Sequence, residues 1–477
     1  MTSRSWKDTL FGPVLVMTTL VVSIISSLGA PLIPTISQHF HTSLTVAQWS
    51  LTITLLSGAV SAPVMGRMGD GPRRRATLIA GLGVVAVGGA VAAVAPSLVV
   101  LFIGRALQGA GLGLVPLAMA TVRDSFPPEK VAPMVGLLSV TATAGAGVGY
   151  PLTGLLADVG GLPAAYWFGA GATVFAFLCA LVVLPSSVHL PSHRMDITGA
   201  GLLTAGLVAV LVAVAQGSAW GWTSAAVLVL LLGGIAVLGL WASHELCASR
   251  PLVEVRLLRR PAVLAGNSCA MLLAVAMYML LASVTEFVQT PRQDGFGFSA
   301  PVIIAGLILI PLSVLMPAGS RFLPTLIRAL GLRVVLGGGC LVVAAAAVFF
   351  GLYHGSLWEA YFMMGLLGIG LGTTFAAIPS LIVHAVPPDE TGSALGFYQV
   401  VRTVGFSLGS VVAAAVLASR SGTGGQPALD GYQLVFWVAG IICVVAAGVA
   451  WALAGDRPVT HRAGPVKSLT GAPDPMR

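Results

Sequence analysis

Charge is what this sequence lacks most. Its 477 residues include 24 Lys plus Arg and 16 Asp plus Glu, so only 8% are charged, against about 25% in a soluble globular protein. A surface of that size is not kept in water by so few charges, and a soluble enzyme is excluded. Cysteine is scarce too: Cys179, Cys247, Cys269, Cys340 and Cys443 are odd in number and lie in or beside apolar stretches. They offer neither a disulfide framework nor metal-ligand spacing, so no metal and no cofactor are expected. No Gly-x4-Gly-Lys-Ser/Thr phosphate loop occurs, which argues against ATP drive within the chain. The alternating pattern of a membrane β-barrel is also missing.

What is present is hydrophobic: 57% of the residues, in runs of 18 or more, each long enough to cross a hydrocarbon core of ~30 Å as a helix. The expected spans are 12–34, 45–65, 77–95, 98–121, 131–155, 164–184, 197–216, 223–243, 262–290, 299–319, 331–351, 357–383, 391–417 and 433–453. The first follows Arg4 and Lys7 without a small-residue cleavage site, so it reads as a span and not a removed signal peptide. The 59 glycines suit close helix approach in a membrane bundle. With the N-terminus placed in the cytoplasm, 20 of the 24 Lys and Arg fall in cytoplasmic segments; Arg292 and Arg420 fall outside, and Arg105 and Arg402 lie within spans. That asymmetry is the positive-inside rule and puts both termini on the cytoplasmic side. The net charge of +8 then reflects topology and contact with membrane lipids, and no nucleic-acid partner is expected.

The chain also repeats itself at an offset of about 260 residues. Pro127 and Pro128 match Pro387 and Pro388; Gly136, Thr143, Gly145 and Gly149 match Gly396, Thr403, Gly405 and Gly409. Two six-helix halves in one orientation are the plan of rocker-switch transporters. The expected division is an N-terminal half (1–190), an inserted helix pair (191–250), a C-terminal half (251–455) and a disordered cytoplasmic tail (456–477).

Five stretches carry a resemblance to a known family. Gly66-Arg-Met-Gly-Asp70-Gly-Pro-Arg73-Arg74-Arg75 resembles the loop 2–3 signature of the major facilitator superfamily. Leu101-Phe-Ile-Gly-Arg105-Ala-Leu-Gln108-Gly109 resembles the helix-4 signature of its proton-coupled members. Gly145-Ala-Gly-Val-Gly149-Tyr-Pro151-Leu-Thr-Gly154 is similar to the antiporter signature of helix 5, with Tyr150 between a Gly and a Pro that are usually adjacent. Arg194-Met-Asp196-Ile-Thr-Gly199 and Gly221-Trp222 are similar to the fourteen-helix drug:proton antiporter branch. The resemblance implies an all-α membrane protein of major facilitator fold, with fourteen helices in two six-helix halves plus an inserted pair. It also implies a multi-pass protein of the bacterial inner membrane. Arginine outnumbers lysine 21 to 3, a bias that suits a GC-rich bacterial genome.

Residue roles follow. Gly66, Asp70 and Arg74 are expected to form a cytoplasmic conformational lock, with Asp70 facing a helix N-terminus and Arg74 as its ion-pair partner. Gly145, Gly149 and Pro151 complete the conformational switch. Arg105 lies within the fourth span, where a guanidinium is expensive and requires a water-filled cavity, a carboxylate or backbone carbonyls. By resemblance it tunes a proton site. Glu286 is the one carboxylate well inside an apolar span and the candidate proton carrier; it lies ~36 Å along its helix from Ala262 at 1.5 Å per residue, near the outer boundary. Arg402 has two readings, a contact for a substrate anion or carboxylate and an inter-half structural bond. Candidate substrate contacts are Ser26, Trp49, Gln108, Tyr278, Gln289, Tyr361, Gln399 and Arg402. Helix 1 offers Ser23, Ser26 and Ser27 where drug exporters of this branch often carry an acid, so neutral and anionic compounds weigh equally with cationic ones.

His384-Ala-Val-Pro-Pro-Asp389 matches an acyltransferase His-x4-Asp pattern, but it repeats the Pro127-Pro128-Glu129 loop and reads as a hinge. The expectation is therefore not an enzyme but a monomeric antiporter. It exports drugs or secondary metabolites in exchange for protons by alternating access. The alternative is a transporter of the same fold for lipids or anionic metabolites.

Overall fold

The computed structural model describes residues 6–28, 32–69, 73–184, 196–248, 251–292, 295–420 and 428–453. Its helices in the first half are α1 (Trp6–Ser27), α2 (Ile33–His39), α3 (Leu44–Gly69), α4 (Arg74–Ala93), α5 (Leu98–Gly109), α6 (Leu114–Ser125) and α7 (Pro128–Val183). The inserted pair is α8 (Ile197–Trp220) and α9 (Ala225–Cys247). The second half holds α10 (Val255–Leu258), α11 (Pro261–Gln289), α12 (Val302–Leu307), α13 (Ile310–Arg321), α14 (Leu323–Leu330), α15 (Leu332–Leu352), α16 (Leu357–Ala385), α17 (Thr391–Ser419) and α18 (Leu429–Leu453). Among the described residues, fourteen stretches are long and apolar enough to cross a membrane. They follow the order read from the sequence.

Two boundaries need a physical account. The first span ends at Ser27 instead of continuing to residue 34. The hydroxyls of Ser26 and Ser27 donate to the carbonyls of Ser23 (2.7 Å) and Ile24 (2.8 Å), and Leu28 N–H closes a tighter turn onto the Ile25 carbonyl at 3.3 Å. Side-chain bonds of this kind compete with the helical ladder. The fifth and sixth spans form one 56-residue run, α7, broken at Gly160 and Gly161. Gly161 has φ of 67°, a left-handed backbone that glycine adopts without steric penalty, so the chain turns back there.

Within the first half, α1 packs on the first part of α7 through Gly145 and Gly149. A Cβ on Gly145 would stand 2.9 Å from that of Ser23, and one on Gly149 would collide with the Ser27 hydroxyl. The two halves meet where α3 crosses α17 and where α7 crosses α13 and α16. The inserted pair is docked on the α3–α17 seam: α8 packs on both helices, and Trp241 of α9 stacks on Phe397 of α17 at 6.2 Å and 13°. The opposite face of α9, with Val229, Leu232, Ile235 and Leu240, is exposed.

Candidate functional site in the bundle interior

The first polar group in the interior is built on α5. Arg105 is fully buried. Its Nε donates to the Ser50 carbonyl (3.3 Å), and one terminal nitrogen donates to the Ile25 carbonyl (3.2 Å) and to Gln108 Oε1 (2.8 Å). The guanidinium also lies 5.8 Å from the centre of the Tyr166 ring. With five N–H donors fixed in one plane, a single side chain ties α1, α3 and α5 together through carbonyls made accessible by small neighbours. Thr54 reinforces the seam by donating to the Arg105 carbonyl at 3.3 Å, and Ser57 donates to the Ala106 carbonyl at 2.6 Å. These partners all belong to the first half, so the structure does not join Arg105 to Glu286.

The second polar group is on α17. At 3.6 residues per turn, its faces can be assigned by what each touches. Phe397, Val400 and Val404 pack with the inserted pair. Gly392 and Gly396 abut Gly66, Ala62 and Pro63 of α3, and Gly405 and Gly409 abut Met271, Val275 and Tyr278 of α11. The face left between the α3 and α11 contacts carries Leu395, Gln399, Arg402 and Phe406, and it points into the bundle. Arg402 is 4% exposed. Its guanidinium lies 5.5 Å from the centre of the Phe375 ring, 5.7 Å from Tyr398 and 5.9 Å from Phe406. Among the described residues, its Nε and one terminal nitrogen have no hydrogen-bond partner, and neither has the Tyr398 hydroxyl one turn earlier.

Glu286 lies near the far end of α11 and is exposed. Its carboxylate lies beside the hydroxyl of Tyr432 on α18, which is also near Thr290. Gln289 is exposed and donates to the Thr285 carbonyl at 2.8 Å. The remaining candidates are spread out: Gln108 is bonded to Arg105, Gln399 is one turn from Arg402 and buried, and Ser26, Trp49, Tyr278 and Tyr361 are half-buried. Of the candidates, Gln108 groups with Arg105 and Gln399 with Arg402, and Glu286 stands apart from both.

At the arginine-rich end the halves are sealed. A Cβ on Gly66 would collide with the Gly392 carbonyl, and one on Gly396 would stand 2.7 Å from the Ala62 carbonyl oxygen. Arg67 pairs with Glu390 across the seam at 2.9 Å. Arg123 donates to the carbonyls of Val386 (2.9 Å) and Pro387 (3.4 Å) and to the Thr391 hydroxyl. Ser380 donates to the Ala132 carbonyl at 2.9 Å. Asp70 lies outside the described residues. Arg74 pairs with Asp124 and donates to the carbonyls of Gly69 and Ala120, all in its own half; Asp124 is an acid that motif spacing did not single out. Arg123, Glu390 and Thr391 were also missed. Their signal was the repeated Pro-Pro loop, since proline has no N–H and leaves neighbouring carbonyls open to an arginine.

A helical bundle of two halves, closed at one end over buried interior arginines, is the architecture of a membrane transporter. The chain belongs to the Major Facilitator Superfamily, which it matches over residues 15–410 and 326–475. It is 29% identical over 428 residues to the tetracenomycin C resistance and export protein of Streptomyces glaucescens, covering 88% of this chain and 77% of that one. It is 26% identical over 401 residues to the multidrug resistance protein Stp of Mycobacterium tuberculosis, covering 83% and 74%. It is 27% identical to the probable actinorhodin transporter of Streptomyces coelicolor, covering 83% and 70%. In fold it is similar to the human organic anion transporter MFSD10, with a TM-score of 0.66, 17% identity and coverage of 92% and 98%.

Proposed function

We propose that the protein is a monomeric exporter of the bacterial plasma membrane that exchanges external protons for drugs or secondary metabolites. The arginine-rich end is then the cytoplasmic face, with both termini on that side. The observation that supports the reading best is the one-sided seal. Glycine contacts and cross-half arginines close the cytoplasmic end, as an outward-facing state of an alternating-access cycle requires. The relatives named for export and resistance point the same way.

Arg67–Glu390 and Arg123–Thr391 act as the lock, together with the Gly66–Asp70–Arg74 loop. Glu286, beside Tyr432, takes the external proton, and Arg105 biases the interior field from the first half. Gly145, Gly149 and Pro151 let α7 move against α1. Substrate binds between the halves on the faces carrying Ser26, Trp49, Gln108, Tyr278, Gln289, Tyr361, Gln399 and Arg402. A second reading, transport of anionic metabolites or lipids, is favoured by one observation, the unpaired Arg402 nitrogens.

The test uses everted membrane vesicles holding an acid-inside gradient. Cationic, neutral and anionic compounds are added, and collapse of the gradient is followed in wild type and Glu286→Gln. Collapse in wild type, absent in a folded Glu286→Gln, is the expected result. Normal coupling in that variant removes Glu286 as carrier.

A further inference from the structure

We propose that Arg402 and Tyr398 form the anion-recognition point of the substrate site, so that the transported compound carries a carboxylate, enolate or phenolate on an aromatic body. This rests on the transporter reading above and names its substrate class. Three observations converge on it. Arg402 is buried and has no carboxylate in an ion pair with it among the described residues. Two of its N–H groups and the Tyr398 hydroxyl are buried without partners, an arrangement that folding alone penalises. Arg402 lies on the face of α17 turned to the bundle interior, and Tyr398 is one turn before it, at the border with the α11 contact, with its ring 5.7 Å from the guanidinium.

The three rings explain how the charge is tolerated without an acid. Phe375, Tyr398 and Phe406 stand 5.5 to 5.9 Å from the guanidinium and offset part of its desolvation through their negative faces. They do not fill its hydrogen bonds. An anion does: the unpaired Nε and terminal N–H of Arg402 and the Tyr398 O–H are three donors for one acidic group, and charge-assisted bonds of this kind are the strong ones. The rings beside them suit stacking of a planar body. Phe375 and Tyr398 are buried, whereas Phe406 is half-buried, so Phe406 marks the side of approach. The site also stands in the right place. Arg402 is six residues beyond Gly396, about 9 Å above the seal at 1.5 Å per residue. An outer lipid does not reach this face directly, because the lipid-side face of α17 is covered by the inserted pair.

The test measures binding separately from transport. Full-length protein is placed in phosphatidylcholine nanodiscs, and fluorescence polarisation is read with anthracene-9-carboxylate and with its carboxamide. The expected result is about tenfold tighter binding of the acid, with Arg402→Gln reducing the acid to the level of the amide and Arg402→Lys keeping part of the preference. Tyr398→Phe, which removes one hydroxyl, is expected to weaken the acid a few fold and leave the amide unchanged. It keeps the test decisive even if Arg402→Gln does not fold. Equal binding of acid and amide to wild type, an acid too weak to detect, or full preference retained in Arg402→Gln would each overturn the proposal. Displacement of the probe by phosphatidylglycerol added to the nanodiscs overturns the soluble-substrate assignment in favour of a lipid headgroup. Acid-selective binding without proton-driven transport counts against the exporter reading and still supports the anion site.

Discussion

Arg105 and Arg402 are the same residue type, buried to nearly the same degree, one in each half, yet they are used differently. Arg105 is committed to carbonyls of α1 and α3 and to Gln108. Arg402 stands among three rings with two nitrogens unpaired. Arg105, with three bonds made and one terminal nitrogen unpartnered among the described residues, is mainly a structural joint; Arg402, with two nitrogens unpartnered and none of these bonds, is the proposed binding group. The neighbours decide which. Around Arg105 the small side chains of Ser50 and Thr54 let the guanidinium reach helix carbonyls, whereas around Arg402 bulky Phe375, Tyr398 and Phe406 keep it away from them.

The largest expected effect breaks or keeps that comparison directly. Arg105→Met strands its carbonyl partners and Gln108 and is expected to lower stability by about 3 kcal/mol. Arg402→Met is expected to stay within about 1 kcal/mol of wild type, because no bonded partner is stranded and the cation–π gain is offset by desolvation. Thermal unfolding of the two purified variants checks this, and equal losses would end the distinction.

The next prediction concerns the seal between the halves below Arg402. Gly396→Val sets side-chain atoms against the Ala62 carbonyl and Pro63. It is expected to open the α3–α17 crossing by about 2 kcal/mol of overpacking strain. Spin-label distances across the cytoplasmic ends of those helices should lengthen in the variant. A smaller change follows from Glu390→Gln, which removes the Arg67–Glu390 ion pair across the seam. The same distances should show an approximately tenfold rise in the separated state. Unchanged distributions in both variants would mean that the seal is held elsewhere.

The smallest effect tests a polar group at the membrane edge, where water competes with every bond. Partial burial pushes the Asp196 carboxyl up, but the Gly199 N–H and His244 outweigh it and hold the group below the usual carboxylate value. Its contribution is therefore present above about pH 4, the ordinary value, and is lost as pH falls through the lowered folded value. Asp196→Asn keeps a cap on α8 and is expected to cost no more than about 1 kcal/mol. The melting temperature of wild type should fall more steeply on acidification below pH ~5 than that of the variant. Parallel curves would assign the acid sensitivity to other groups.

Much of the fold was legible because a membrane bundle is written in composition. Runs of apolar residues, the arginine asymmetry and the Pro-Pro repeat each report a local property of the chain, and the fourteen spans follow from them. The candidate site was legible as residue types in spans, Arg105, Glu286 and Arg402, since an ion in an apolar run stands out whatever surrounds it. Its wiring was not. The structure pairs Arg74 with Asp124, at the end of the next span, a partner that no spacing in the sequence indicated. Arg67 and Glu390, 323 residues apart, give no local sign of meeting. The inserted pair, close to featureless over 197–216, takes its docking from Trp241 and Phe397.

The sequence by itself determined that the chain lives in a membrane, how often it crosses and which end carries the positive charge. Hydropathy and charge act on each segment independently of its neighbours. Which buried arginine is bonded to helix carbonyls and which stands among rings, and which end of the bundle is shut, were decided only by the tertiary structure. Hydrogen bonds and close helix crossings act over about 3 Å, between residues that only folding brings together.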